Sequence, residues 1–236
     1  IPSIFLLQMS GIPGIALNNI EWYLSAMMIS MAIIYPICKK YFNLFIKYIA
    51  PICSILILGY LGYTYGYLTG VEVWIGFAFK GLVRGFAEIM LGTFAYYLSK
   101  KLSNYKNTFN NYRLFITIVE WLLYISVILF MILTVNEKYE FMALIAIFFG
   151  IVISYSNISY SNKIFNNKIC YFLGKFSLPI YLSQLSAINI VIALFSESIN
   201  CIKISVAIIL TIIISLITMF LGDFIKKKLS SNSFRK

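Results

Sequence analysis

Lys80, Arg84 and Glu88 stand four residues apart in one apolar stretch, so a helix would align them as one charged stripe. Arg84 can pair with Glu88, which leaves Lys80 as one positive charge in excess. A net cation at membrane depth suits an anionic group such as a phosphate, a carboxylate or a developing oxyanion. A structural ion pair would account for Arg84 and Glu88 alone, but leaves the second base unneutralised. A second stripe is uncharged: Ser177, Tyr181 and Gln184 share one helix face around Pro179. Two hydroxyls and an amide at that spacing serve interhelical hydrogen bonds more often than catalysis. Glu120 is expected to partner Lys80 or to snorkel toward an interface. Histidine is absent, which removes imidazole bases, Ser–His–Asp triads and His-ligated metals from the chemistry of this chain. Cys38, Cys53, Cys170 and Cys201 show no CxxC spacing and read as small apolar fillers, with no disulfide and no metal site.

The elements that must hold these residues are membrane helices. Of 236 residues, 61% are hydrophobic and 11% charged, with a mean hydropathy of +0.89. A soluble domain is about 45–50% apolar and about 25% charged. That contrast excludes a water-soluble enzyme, a disordered tail and a nucleic-acid binder. The net charge of +11 then points to an anionic leaflet of the lipid bilayer. About 20 apolar residues cross the hydrocarbon core. By that measure the chain reads as an all-α, polytopic transmembrane bundle of seven spans: Trp22–Cys38, Tyr48–Thr69, Val73–Ser99, Leu114–Val135, Phe141–Ser161, Phe172–Phe195 and Ile204–Phe224. Residues 1–21 form an extracytoplasmic, interfacial or re-entrant lead-in, in which Ile1–Leu17 is too short and too rich in Gly11, Pro13 and Gly14 to span and lacks the basic start of a signal peptide. Residues 22–225 form the transmembrane domain and 226–236 a basic tail.

Charge sets the orientation. Lys39, Lys40, Lys47, Lys100, Lys101, Lys106, Arg113, Lys163, Lys168, Lys175, Lys226, Lys227, Lys228, Arg235 and Lys236 fall on one side of the seven spans. The other side has Lys138 and Lys203 with Glu21, Glu72, Glu137, Glu140 and Glu197. The C-terminus is therefore expected in the cytoplasm and residue 1 outside. Arg84 falls near the middle of the third span, where a charge costs about 2.5–3.5 kcal/mol, so the stripe must face the bundle interior. Gly62, Gly66 and Gly70, and again Gly81 and Gly85, repeat at four-residue steps that let helix backbones approach closely.

Asn19–Ala26, Arg84–Gly92 and Leu173–Gln184, in this order, resemble segments of membrane-bound acyltransferase family 3, the polysaccharide O-acetyltransferase type. Asn19-Ile-Glu-Trp22-Tyr23-Leu24-Ser25-Ala26, entering a span that ends Tyr35-Pro36, is similar to the family's W-x-L-S segment. Arg84-Gly-Phe-Ala-Glu88-Ile-Met-Leu-Gly92 is similar to its Arg-to-Gly helix. Leu173-Gly-Lys-Phe-Ser177-Leu-Pro-Ile-Tyr181-Leu182-Ser-Gln184 is similar to its G-x-x-S-x-x-I-Y-L-x-H segment. The resemblance implies a ten-span fold that moves an acetyl group from cytoplasmic acetyl-CoA to a hydroxyl of a cell-envelope polysaccharide or glycolipid at the plasma membrane. It implies that Arg84 contacts the donor's phosphates or acyl carbonyl, that Ser177, Tyr181 and Gln184 line the same cavity, and that Trp22 lies toward the acceptor. Lys80 and Glu88 come from their spacing alone. The chain departs from the pattern at several places: the family's His-bearing first span has no counterpart here, and Gln184 occupies the last His position of the third motif. An apolar residue near Met27 also replaces an acid. These 236 residues are therefore expected to be inactive alone, or to belong to a larger enzyme. Two other classes compete. A transporter or flippase for an anionic or glycan substrate would line its path with the charged stripe and the Pro179 helix. A sensor domain derived from an acyltransferase would have no need of the His.

Overall fold

The structure is a computed structural model that describes residues 6–11, 22–133, 139–195 and 200–233, with backbone only for 227 and 229–233. Expectations that fall on Pro13, Gly14, Glu21, Glu137, Lys138, Glu197, Arg235 and Lys236 lie outside the described residues. Among those described the architecture is all-α: α1 (Trp22–Lys40), α2 (Phe42–Leu44), α3 (Ala50–Tyr65), α4 (Lys80–Ser103), α5 (Arg113–Leu133), α6 (Glu140–Ser156), α7 (Ser161–Phe165), α8 (Lys168–Leu194) and α9 (Asn200–Ser233). A single π-helical turn, Phe45–Ile49, joins α2 to α3. Among the described residues the one extended pairing is an isolated bridge between Trp74 and Phe79.

Among the described residues five helical runs are long and apolar enough to cross a membrane: Trp22–Lys40, Phe42–Tyr65, Asn110–Leu133, Lys168–Leu194 and Asn200–Lys226. This is the signature of a multi-pass membrane protein. The other two expected spans differ in kind. α6 is apolar but only 17 residues long, and α4 has 24 residues but carries Lys80, Arg84 and Glu88.

The third expected span starts later than its hydropathy implies. Residues 66–79 are a loop, because glycine conformations interrupt the apolar run. Gly66 closes α3 at φ 72° and donates its N–H to the Gly62 carbonyl, and Gly70 and Gly76 also take positive φ. The Gly66 and Gly70 steps thus end a helix rather than pave an interface. Lys80 becomes the first residue of α4 and Arg84 lies in its second turn, not at mid-span. The loop itself closes the helix start: Lys80 N–H donates to Val73 O and Gly81 N–H to Val71 O.

The described residues form two compact units, one containing Trp22–Phe165 and the other containing 166–195 and 200–233. In the first, α4 packs against α1, α3 and α6, and α5 packs on α6. α1 and α4 run side by side in the same direction. A Cβ on Gly81 would lie 3.1 Å from the Trp22 ring, and one on Gly85 would lie 3.1 Å from the Ala26 methyl. Farther along, Ile34 meets Met90 together with Phe45 and Ala50 in one buried cluster. The second unit is the α8–α9 hairpin. Its seam holds Ser183 Oγ 2.7 Å from Ser215 Oγ, and Ser215 also donates to the Thr211 carbonyl. Pro179 sits deep inside α8 rather than in its first turn.

Candidate functional site

The charged stripe exists as the spacing demands, and its surroundings redefine it. Arg84 Nε donates to Glu88 Oε1 at 2.7 Å, one turn apart on α4. Arg84 Nη1 also donates to the Leu68 carbonyl at 3.2 Å. Lys80, 0% exposed, donates from Nζ to the Thr69 carbonyl at 2.5 Å. Its ammonium stands 3.9 Å from the centre of the Tyr67 ring and 4.7 Å from that of Tyr65, a caged cation. From the first turn of α6, Glu140 Oε2 accepts the N–H of Leu68 at 2.7 Å and that of Thr69 at 3.2 Å.

Leu68 and Thr69 are therefore each held at both N–H and C=O, by three charged side chains in all. With Glu88, the cluster contains two cations and two carboxylates. The expected excess of one positive charge is not present, because Glu140 supplies the second negative group. Nothing in the spacing of Lys80, Arg84 and Glu88 points to Glu140, which is distant in sequence and stands among the acids on the side opposite the bases. Lys80 is absorbed in anchoring the loop. Arg84 and Glu88 keep 24% and 16% of their side-chain surface open. Glu88 Oε2 makes no hydrogen bond among the described residues.

Above this pair lies an aromatic wall. The Arg84 guanidinium is 6.0 Å from the Trp22 ring centre, and Trp22 meets Tyr23 edge-on at 5.6 Å. The short Gln8–Ser10 turn packs on α1 and α4, with Met9 N–H donating to Ser25 Oγ at 3.0 Å. Gly81 and Gly85 make this proximity possible, since side chains there would push α1 from α4. Trp22, Arg84 and Glu88 thus form one partly open cluster.

Glu120 contradicts the expectation of a Lys80 partner or a snorkelling carboxylate. It is buried on α5 and accepts hydrogen bonds from Ser154 Oγ and, at 2.8 Å, from Ser161 Oγ. Tyr124 is joined to Ser154 at 2.9 Å, Thr117 Oγ1 accepts the Tyr160 N–H at 2.9 Å, and Arg113 donates to the Ser159 carbonyl from Nε and Nη2. Arg113, Thr117, Glu120 and Tyr124 form a single face of α5 that grips the α6–α7 corner. Their i, i+4, i+7, i+11 spacing was visible in the sequence; their hydroxyl partners were not.

Ser177, Tyr181 and Gln184 all belong to the α8–α9 unit. Ser177 is exposed and donates to the Gly174 carbonyl of its own helix at 2.8 Å. Gln184 and Thr211 are the polar members of an apolar groove of about 480 Å³ between α8 and α9, lined chiefly by Ile180, Ile188, Ile204 and Ile208. The seam residue of this stripe is Ser183, on the next face round. The four cysteines are free. Among the described residues no three His, Cys, Asp or Glu side chains converge as metal ligands. Compared with protein-family models, curated proteins and solved structures, the chain matches none.

Proposed function

We propose that the chain is a membrane O-acyltransferase, or the larger part of one, that moves an acetyl group from cytoplasmic acetyl-CoA to a hydroxyl of a cell-envelope polysaccharide or glycolipid. The observation that carries this reading is the partly open Arg84–Glu88 pair beneath Trp22, built at the contact of the two segments that resemble the family's first two motifs. In this reading α4 and α6 also span, giving seven helices with the C-terminus in the cytoplasm and the membrane the plasma membrane. α4 tolerates its charges because they bond to Leu68, Thr69 and each other instead of meeting lipid.

The position of Arg84 along α4 favours one of its two implied roles. It lies in the second turn of α4, at the end opposite Lys100 and Lys101. With those lysines in the cytoplasm, Arg84 lies toward the outer face, far from the phosphates of a cytoplasmic donor. It then meets the acyl carbonyl and offers guanidinium N–H groups to the oxyanion formed there. Glu88 Oε2 takes the proton of the acceptor hydroxyl as its oxygen bonds to the acyl carbon. The C–S bond breaks, and the proton passes to the leaving thiolate. Trp22 covers the apolar face of the acceptor ring. Lys80 has no part in the transfer.

The test uses membrane vesicles carrying the complete gene product and labelled acetyl-CoA. Label is expected in a glycan or glycolipid, with Arg84→Ala and Glu88→Gln each lowering the rate on the order of a hundredfold. No label in any glycan, or an Arg84→Ala rate equal to that of the unaltered protein, overturns the proposal. Movement of a glycan across the vesicle wall without label transfer assigns the chain to the flippase class instead.

A further inference from the structure

We propose that the corner joining α1 to α3 is a binding surface for the headgroups of anionic glycerophospholipids. α1 ends in Lys39 and Lys40, the chain bends at Tyr41, and α2 leads into the π-helical turn that carries Lys47. Phe45 is buried in one cluster with Ile34, Ala50 and Met90, which fixes the corner to the bundle. Around that foot Lys39, Lys40 and Lys47 are exposed, and Phe42, Leu44 and Tyr48 stand among them with 50%, 53% and 59% of their surface open. Lys40 lies over the Tyr41 ring, 5.1 Å from its centre.

Charge selects the partner. Neither 36–60 nor 89–119 contains an Asp or Glu, so no acid on α1, α3 or the far half of α4 offsets these lysines. Lys100 and Lys101 close α4, which runs in the same direction as α1, and extend the same positive end. The opposite end of the unit is mixed, with Glu88 and Glu140 set against Lys80 and Arg84. A zwitterionic headgroup offers no net charge to such a surface. A soluble polyanion would neutralise the lysines but would not meet Phe42 and Leu44, which open the membrane-length run Phe42–Tyr65 beside them. An anionic phospholipid satisfies both, with its phosphate among the ammonium groups and its upper acyl carbons against the apolar side chains. The lysine stems lie along that boundary while their heads reach the phosphates. The surface goes beyond the transfer reaction and does not depend on it.

The test is retention of lipid by the full chain after reconstitution in vesicles of phosphatidylcholine and phosphatidylglycerol, read by native mass spectrometry. The unaltered protein is expected to retain phosphatidylglycerol preferentially, and added salt to erode that preference. Each lysine near an anionic leaflet weights the association about fivefold, so K39Q/K40Q/K47Q together should lower the preference on the order of a hundredfold. K39R/K40R/K47R keeps the charges and should keep the preference, which separates charge from folding. If the glutamine variant does not insert, the arginine variant and the salt series still decide. No preference in the unaltered protein, an undiminished preference in the glutamine variant, or displacement of the retained lipid by coenzyme A overturns the proposal.

Discussion

The two polar clusters of the first unit solve one problem by opposite means. Each fastens a non-helical connection to a helical bundle, where bare peptide groups would be costly. At the Lys80 end, ionised side chains bond directly to backbone: Lys80 and Arg84 to carbonyls, Glu140 to N–H groups. At the α6–α7 corner, one carboxyl is enclosed by serine hydroxyls, and a single arginine holds a carbonyl. The first arrangement leaves Arg84 and Glu88 partly open, whereas Glu120 is 2% exposed. Capacity to meet a ligand therefore survives at one cluster and is used up at the other. Burial of a charged residue in a membrane segment marks a function only after its loop contacts have been subtracted.

The largest expected effect breaks the open cluster at its foundation. A Cβ on Gly81 would come within 2.9 Å of Val71 Cβ and 3.0 Å of the Val71 carbonyl. Gly81→Leu should cost about 3 kcal/mol or more, the upper range for overpacking, and separate α1 from α4. On the same helix a Cβ on exposed Gly92 would meet nothing within 4 Å, so Gly92→Leu should be nearly neutral. Thermal unfolding in detergent reads both, and equal losses would remove the close α1–α4 contact from the account.

The next change tests the loop anchor. Glu140→Ala strips two N–H groups of a charged acceptor and should cost about 2–3 kcal/mol. It should also open residues 66–79 to proteolysis, a local effect that Gly92→Leu does not share. At the buried cluster, Glu120→Ala should cost about 2 kcal/mol and Glu120→Gln under about 1 kcal/mol. The amide can accept from one serine while donating to the other. A glutamine variant as damaged as the alanine one would mean that the carboxyl charge itself is needed there.

The sequence made the membrane-length helices legible because each is a long apolar run, and it made the Arg84–Glu88 pair legible because four residues is one turn. It misplaced the start of α4, since apolar Val73–Phe79 looks like helix until Gly66, Gly70 and Gly76 take positive φ. Hydropathy carries no information about that choice. It also missed Glu140 and the serines around Glu120, because their partners are dozens of residues away: Leu68 with Glu140, Glu120 with Ser161. Charge counted along one helix face overstated the free cation at Lys80 for the same reason. A stripe is neutralised in three dimensions, by whichever helix packs beside it.

The smallest stability effect is the most informative for function. Arg84 and Glu88 are a partly open i, i+4 pair with arginine on the N-terminal side, the weaker order against the helix dipole. Arg84→Gln should therefore cost only about 0.5 kcal/mol of stability, and a double-mutant cycle with Glu88→Gln should return a coupling of similar size. Transfer by the complete gene product should nevertheless fall on the order of a hundredfold. That split separates the two clusters. If Arg84→Gln is as destabilising as Glu140→Ala, its bond to the Leu68 carbonyl is its main work. Arg84 then belongs with Lys80 among the loop anchors, and the open pair is no site.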